Sequence, residues 1–337
     1  MKKIIPIILT LIIIAACSNE EPFIDNSKNN VSFIIQRNIN TLEVLDFNDV
    51  NVTFTNIELE KNIGKIDLIK KFRGYYYLVN KEMKNIFILK NINPPLVNEI
   101  DFFSNGLIVN DICFPNATDC YIIYENSAKV GVIDLTTNEI TNIEIPLSDI
   151  PSSIAGLGNQ IYVTIPTKNL VEVIDTRTNN VVSQINISNS PSIVDFNYNG
   201  ESAIVISKGD ANKPAMISII NLETKQITRS NILTGNEQTA INIMPNAMIV
   251  GSRYVYVTAT NVKHNNGGAF RIASSNYLTT SVLIKNSCNN VIKNYNSALF
   301  IEVDENNNEK FVLFNTNDNK KIKELNVGSV FYSACEK

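Results

Sequence analysis

Few residues in this chain are equipped for covalent chemistry. His264 is the only histidine. A Ser-His-Asp or Cys-His arrangement therefore has one place to form, and no GxSxG elbow accompanies it. Asn265, Asn266, Gly267 and Gly268 follow His264, a composition that predicts an exposed loop. The carboxylates Asp111, Asp195, Glu302 and Asp304 could supply oxygens to a hard cation such as calcium, but no spacing groups them. The residues assign no catalytic group, no metal site and no cofactor. Binding is the expectation, and calcium-dependent hydrolysis of a lactone or ester is the alternative.

The ends of the chain say where such a protein works. Lys2 and Lys3 precede a short apolar run, Ile4 to Ala16. That run falls short of the roughly 20 apolar residues a spanning helix needs. Its end, Ile14-Ala15-Ala16-Cys17, resembles the lipobox of bacterial lipoproteins. The resemblance implies cleavage before Cys17, acylation of its thiol and a mature protein held on a membrane by lipid. Residues 1–16 are then a signal peptide, and residues 17–30 a lipidated cysteine with a polar tether. The acidic pair Glu20-Glu21 resembles an export signal that sends lipoproteins to the cell surface. An outer-membrane lipoprotein facing outwards is expected, with a periplasm-facing one as the alternative.

Setting Cys17 aside leaves Cys113, Cys120, Cys288 and Cys335. An even number in an exported chain predicts disulfides. Cys113 and Cys120 flank a turn, FPNATD, and are expected to pair across it. Cys288 and Cys335 form the second candidate pair. Zinc is disfavoured, because there is one histidine and no CxxC. A formal net charge of −4 argues against a nucleic-acid partner.

The elements that would position a site are strands, and they repeat. The alternating segment VEVIDT at Val171 has counterparts at Leu42, Ile86, Val130, Ile217, Ala269 and Phe311, spaced 41–52 residues apart. An apolar strand precedes most copies, as in CYIIYEN and IYVTIPT, and a polar turn such as DTRTNN follows. Such a period, with several strands per unit, predicts an all-β, seven-bladed β-propeller of four-stranded antiparallel blades over residues 31–337. The first unit lacks an inner strand, and the C-terminal GSVFYSAC supplies one. Pairing the C-terminal strand with the first blade closes the ring. The turn positions of Asp134 and Asp175 mark them as turn formers.

The stretch IYVTIPTKNLVEVIDTRTNNVVSQINI resembles the YVTN-repeat β-propeller family. Tyr162-Val163-Thr164 and Val173-Ile174-Asp175 match its two cores, and Tyr256-Val257-Thr258 repeats the first. Some surface lipoproteins of that family capture corrinoids for a TonB-dependent outer-membrane transporter. The resemblance thus implies nutrient capture, with such a transporter as partner. A protein–protein scaffold is a third reading.

Loops joining second to third strands, and loops joining successive blades, share one face of a propeller. There the chain departs from its own repeat, in Ser207–Pro214, Thr234–Asn246 and Thr260–Gly268. Insertions on a repeat scaffold often map to the binding face. The candidate ligand contacts are Tyr124, Asn126, Lys168, Lys208, Asp210, Asn212, His264, Asn265 and Asp304. Tyr77 and Tyr124 are alternatively packing residues between blades.

Overall fold

The computed structural model describes residues 31–47, 51–92, 95–102, 105–261, 266–294, 296–304, 306, 308–327 and 333–336. Cys17 and the tether, and the candidates His264 and Asn265, lie outside them.

Each repeat folds into an antiparallel meander. Strands β1 (Val31–Asn38), β2 (Thr41–Phe47) and β3 (Val52–Ile57) begin the chain. Next come β4 (Leu68–Phe72), β5 (Tyr75–Asn80), β6 (Asn85–Ile92) and β7 (Pro95–Asp101), then β8 (Val109–Cys113), β9 (Asp119–Tyr124), β10 (Lys129–Asp134) and β11 (Glu139–Pro146). The next sheet holds β12 (Ser153–Leu157), β13 (Gln160–Ile165), β14 (Leu170–Asp175) and β15 (Asn180–Asn186). Another holds β16 (Pro191–Phe196), β17 (Ser202–Ser207), β18 (Met216–Asn221) and β19 (Ile227–Ile232).

A one-turn helix, α1 (Glu237–Ala240), then leads to β20 (Ile243–Val250), β21 (Tyr254–Asn261) and β22 (Asn266–Ala273). The long strand β23 (Thr279–Asn294) pairs first with β22 and then with β24 (Ser297–Val303). It thereby joins β20–β22 to β24, β25 (Glu309–Asn315) and β26 (Lys321–Asn326) in one seven-stranded sheet. Finally β27 (Ser333–Glu336) pairs antiparallel with β1, with Ile34 opposite Cys335 and Gln36 opposite Ser333. The two ends of the chain thus share a four-stranded sheet, ordered β27-β1-β2-β3.

The hydrophobic core lies between consecutive sheets. In β9, Tyr121 and Ile123 pack towards Val163 and Ile174, while Ile122 and Tyr124 pack towards Val79 and Ile88. Both faces of the strand are covered, which explains its nearly continuous apolar sequence. The cluster of Phe33, Leu45, Leu299, Phe311 and Leu313 joins the last sheet to the first. This all-β arrangement of successive antiparallel sheets is consistent with a β-propeller.

The expected disulfides are absent among the described residues, where Cys113, Cys120 and Cys288 are free and buried. Register gives the reason for the first pair. Cys113 lies opposite Tyr121, so Cys120 is one residue out of step and points to the other face of the sheet. Cys113 packs towards β12 and β13, and Cys120 packs with Ile86 and Ile133. Cys288 is opposite Glu302 and buried with Val291 and Phe300, whereas the backbone of Cys335 pairs with Ile34. Burial pushes all three described thiols above the ordinary cysteine range.

Candidate functional site

A cavity of about 830 Å³ is bordered by β4, β8, β12, β16 and β27 from five of the sheets and by β20 and β23 from the seven-stranded one. The walls are laced together by polar side chains. Lys70 Nζ in β4 donates to Asp111 Oδ1 and to the Ile112 carbonyl in β8, each at 2.5 Å. Asp111 Oδ2 accepts from Ser153 Oγ at 3.5 Å and from the Ile154 amide at 3.3 Å. Ser153 Oγ in turn accepts from the Val194 amide in β16 at 3.3 Å. On the same wall, Asn110 Nδ2 donates to the Ser152 carbonyl at 3.0 Å, and Ser152 Oγ donates to that of Ser192 at 3.1 Å.

These side chains carry an uneven charge. Burial alone pulls the Lys70 ammonium down, but the charge and hydrogen bond of Asp111 outweigh it and hold Lys70 above its ordinary value. Asp195, further along β16, accepts from the Phe196 amide at 2.8 Å. Burial pushes its carboxyl up, against the pull of Lys70 and Lys293. Lys293 donates to the Val250 carbonyl at 3.3 Å, at the far end of β20. Lys208 stands at the opposite mouth, where its amide donates to the Ser190 carbonyl ahead of β16. In all, five lysines (70, 71, 81, 208, 293) line the cavity against three aspartates (67, 111, 195).

Of the nine expected ligand contacts, Lys208 lines the cavity. Tyr124 is buried against Phe102, and a Cβ at Gly131 would meet its hydroxyl at 2.2 Å. It fills space between sheets, as Tyr77 does against Phe114. Asn126 pins an inter-sheet link, accepting from the Ile108 amide and donating to the Gly106 carbonyl. Lys168 is exposed in a single 3₁₀ turn, Pro166–Lys168.

Asp210 Oδ1 accepts from the amides of Asn212 and Lys213, and Asp304 Oδ1 accepts from those of Asn306 and Asn308. Both are turn formers, with carboxyls held below their ordinary range by those bonds and by the Asn308 side chain at Asp304. Of the carboxylates considered for calcium, Asp111 and Asp195 reach the cavity. Glu302 instead accepts from Asn286 Nδ2 at 2.5 Å. Among the described residues no group of three or more His, Cys, Asp or Glu is placed to hold a metal.

Two of the three expected insertions meet. The Gly209 amide donates to the Ile243 carbonyl at 2.8 Å, the Asn242 amide to that of Asp210 at 3.1 Å, and the Ala215 amide to that of Ala240 at 2.9 Å. Asn236 caps α1 by accepting from the amides of Gln238 and Thr239. At the third, β21 and β22 pair Ala259 with Gly268 and Thr260 with Gly267, so these residues belong to paired strands, and residues 262–265 lie outside the described ones. Only glycine fits there, since a Cβ at Gly267 would lie 2.0 Å from the Ala259 carbonyl oxygen.

Lys70, Asn110, Ser153 and Lys293 are wall residues that sequence reasoning missed. Their one visible signal was polarity within strands, as in LIKKF.

No protein-family model matches the chain, and no curated protein sequence matches it. Solved structures do resemble it. Kuenenia stuttgartiensis hydrazine synthase superposes with a TM-score of 0.63 at 13% identity, covering 82% of this chain and 92% of that one. The dihydro-heme d1 dehydrogenase NirN, solved in complex with DHE, gives 0.59 at 12% identity, with 90% and 65% covered. A functionally unknown protein from Desulfotomaculum acetoxidans DSM 771 gives 0.63 at 12% identity, with 89% and 96% covered. At such identities the likeness concerns the fold alone.

Proposed function

We propose that this chain is a seven-bladed β-propeller of the YVTN-repeat kind that binds a small ligand in its central channel, anchored by lipid at Cys17. Two four-stranded blades share β23, which accounts for the seven-stranded sheet. The observation that carries the binding reading is the channel itself. A cavity of about 830 Å³ has polar side chains on several independent strands, where a purely structural core would be apolar. The knitted loops at Gly209 and Asn242 give one mouth a built rim. Nutrient capture, with a corrinoid as the ligand the family resemblance implies and a TonB-dependent transporter as recipient, is the physiological role proposed.

A thermal-shift and equilibrium-dialysis screen of the mature chain tests the reading, using cyanocobalamin, calcium and envelope metabolites. Binding lost on Met244→Trp, which narrows the mouth at a residue already 41% exposed, supports it. If cyanocobalamin neither shifts melting nor is retained at saturation, the corrinoid role is dropped. If Met244→Trp leaves every observed binding unchanged, the channel is not the site. Labelling with radioactive palmitate, abolished by Cys17→Ser, tests the anchor.

A further inference from the structure

We infer that the channel selects ligands carrying an anionic group, received by the ammonium groups of Lys208 at one mouth and Lys293 towards the other. This rests on the channel being the binding site, as proposed above.

The charges explain the choice. The chain as a whole is acidic, with a formal net charge of −4, yet the cavity wall holds five lysines against three aspartates. Some of those charges are settled within the protein. Lys70 is bound by Asp111 at 2.5 Å, Lys81 pairs with Glu125, and Lys65 stands 3.4 Å from Asp67. Lys71, Lys208 and Lys293 remain: among the described residues, none has a carboxylate within 4.0 Å. Lys71 lies over the Tyr76 ring at 6.0 Å on the first wall strand, which leaves Lys208 and Lys293 as the cations at the two mouths.

Lys293 makes one hydrogen bond, to the Val250 carbonyl, and lies 6.0 Å from the Tyr198 ring. Two of its three N–H donors are left for a ligand. Asp195 offsets part of this charge, and it is shared between the fields of Lys70 and Lys293. Cations on a low-dielectric wall attract anions more strongly than the same groups on an open surface, and a cleft of one sign concentrates its ligand.

The test uses three probes that share one aromatic scaffold: 1-pyrenesulfonate, 1-pyrenemethanol and 1-pyrenemethylammonium, each titrated into the mature chain. Pyrenesulfonate is expected to bind about tenfold or more tighter than the ammonium probe, an advantage that shrinks with added salt. Lys208→Met and Lys293→Met should each weaken the sulfonate by about fivefold or more while leaving pyrenemethanol unchanged. Lys168→Met, outside the cavity, should change nothing, and Lys293→Arg should retain binding. Should Lys293→Met fail to fold, Lys208→Met carries the test alone. Equal binding of all three probes, or lysine variants with unaltered sulfonate affinity, overturns the anion inference and leaves the channel reading standing. If no probe binds below about 1 mM, both fall.

Discussion

Tyr121 Oη donates to Asn179 Oδ1 over 2.8 Å, linking the second strand of one sheet to the β14–β15 turn of the next. Asn179 occupies the left-handed region at φ 53°, which the turn requires. The same device recurs where Tyr256 Oη donates to Asn319 Oδ1 at 2.8 Å, with Asn319 at φ 57°. Between them, Lys225 at φ 58° replaces the asparagine and donates Nζ to Tyr162 Oη at 2.9 Å. One residue thus shapes a hairpin and clamps two sheets. Tyr121→Phe is expected to cost about 1 kcal/mol, read from the midpoint of urea unfolding. Asn179→Gly should cost about as much, and Asn179→Ala more, because alanine also loses the backbone preference.

Lys70 and Asp111 bridge two strands of the cavity wall. Removing either partner leaves the other facing the cavity uncompensated. Lys70→Met is expected to destabilise by about 2 kcal/mol, below the figure for fully enclosed pairs because both side chains are partly exposed. The double variant Lys70→Met/Asp111→Leu should be more stable than Lys70→Met, giving a measurable coupling in a double-mutant cycle.

Asp195 makes stability depend on pH with a definite sign. Its folded carboxyl holds a proton more tightly than the unfolded one, against an ordinary value of 3.8. This one group therefore favours the folded state at low pH, and its contribution falls as pH rises from that ordinary value through the raised one, opposite in sign to the lowered carboxyls of Asp210 and Asp304. Asp195→Asn should match the wild type near the low end of that window and melt higher above it. Thermal unfolding of both proteins across pH 3–8 reads this directly, and identical curves would refute it.

The buried thiols make a chemical prediction. In a chain carrying Cys17→Ser and Cys335→Ser, Cys113, Cys120 and Cys288 should resist Ellman's reagent until the protein unfolds. Dithiothreitol should leave its melting temperature unchanged. A drop on reduction would mean that two of these thiols pair after all.

Gly209 sets the contact between the two knitted loops. A Cβ there would lie 2.2 Å from the Ala240 carbonyl oxygen and 2.8 Å from the Ala215 amide nitrogen. Gly209→Ala is expected to cost about 1–3 kcal/mol and to speed amide exchange at Asn242 and Ala215.

Much of the strand order was legible, because a strand buried on both faces or one writes its environment into its own residues. The segments starting at Leu42, Ile86, Val130, Val171, Ile217, Ala269 and Phe311 all fall in third strands of the meanders. Asp134 and Asp175 are the turn formers expected, accepting from the amides of Thr136 and Arg177. The C-terminal strand pairs with β1, since the first repeat lacked the inner strand that the last residues supply.

Tertiary structure decided the rest. Whether Cys113 meets Cys120 turns on a register of one residue, which hydrogen-bond pairing sets and composition does not. Whether Thr260 and Gly267 sit in a loop or a hairpin depends on glycine allowing one backbone against another. The wall residues Lys70, Asp111, Ser153 and Lys293 lie on separate repeats, and no local pattern marks a side chain for a cavity that exists only once the inner strands assemble around it. Local chain chemistry determined the strands and turns of this protein. Their packing determined where its polar groups converge.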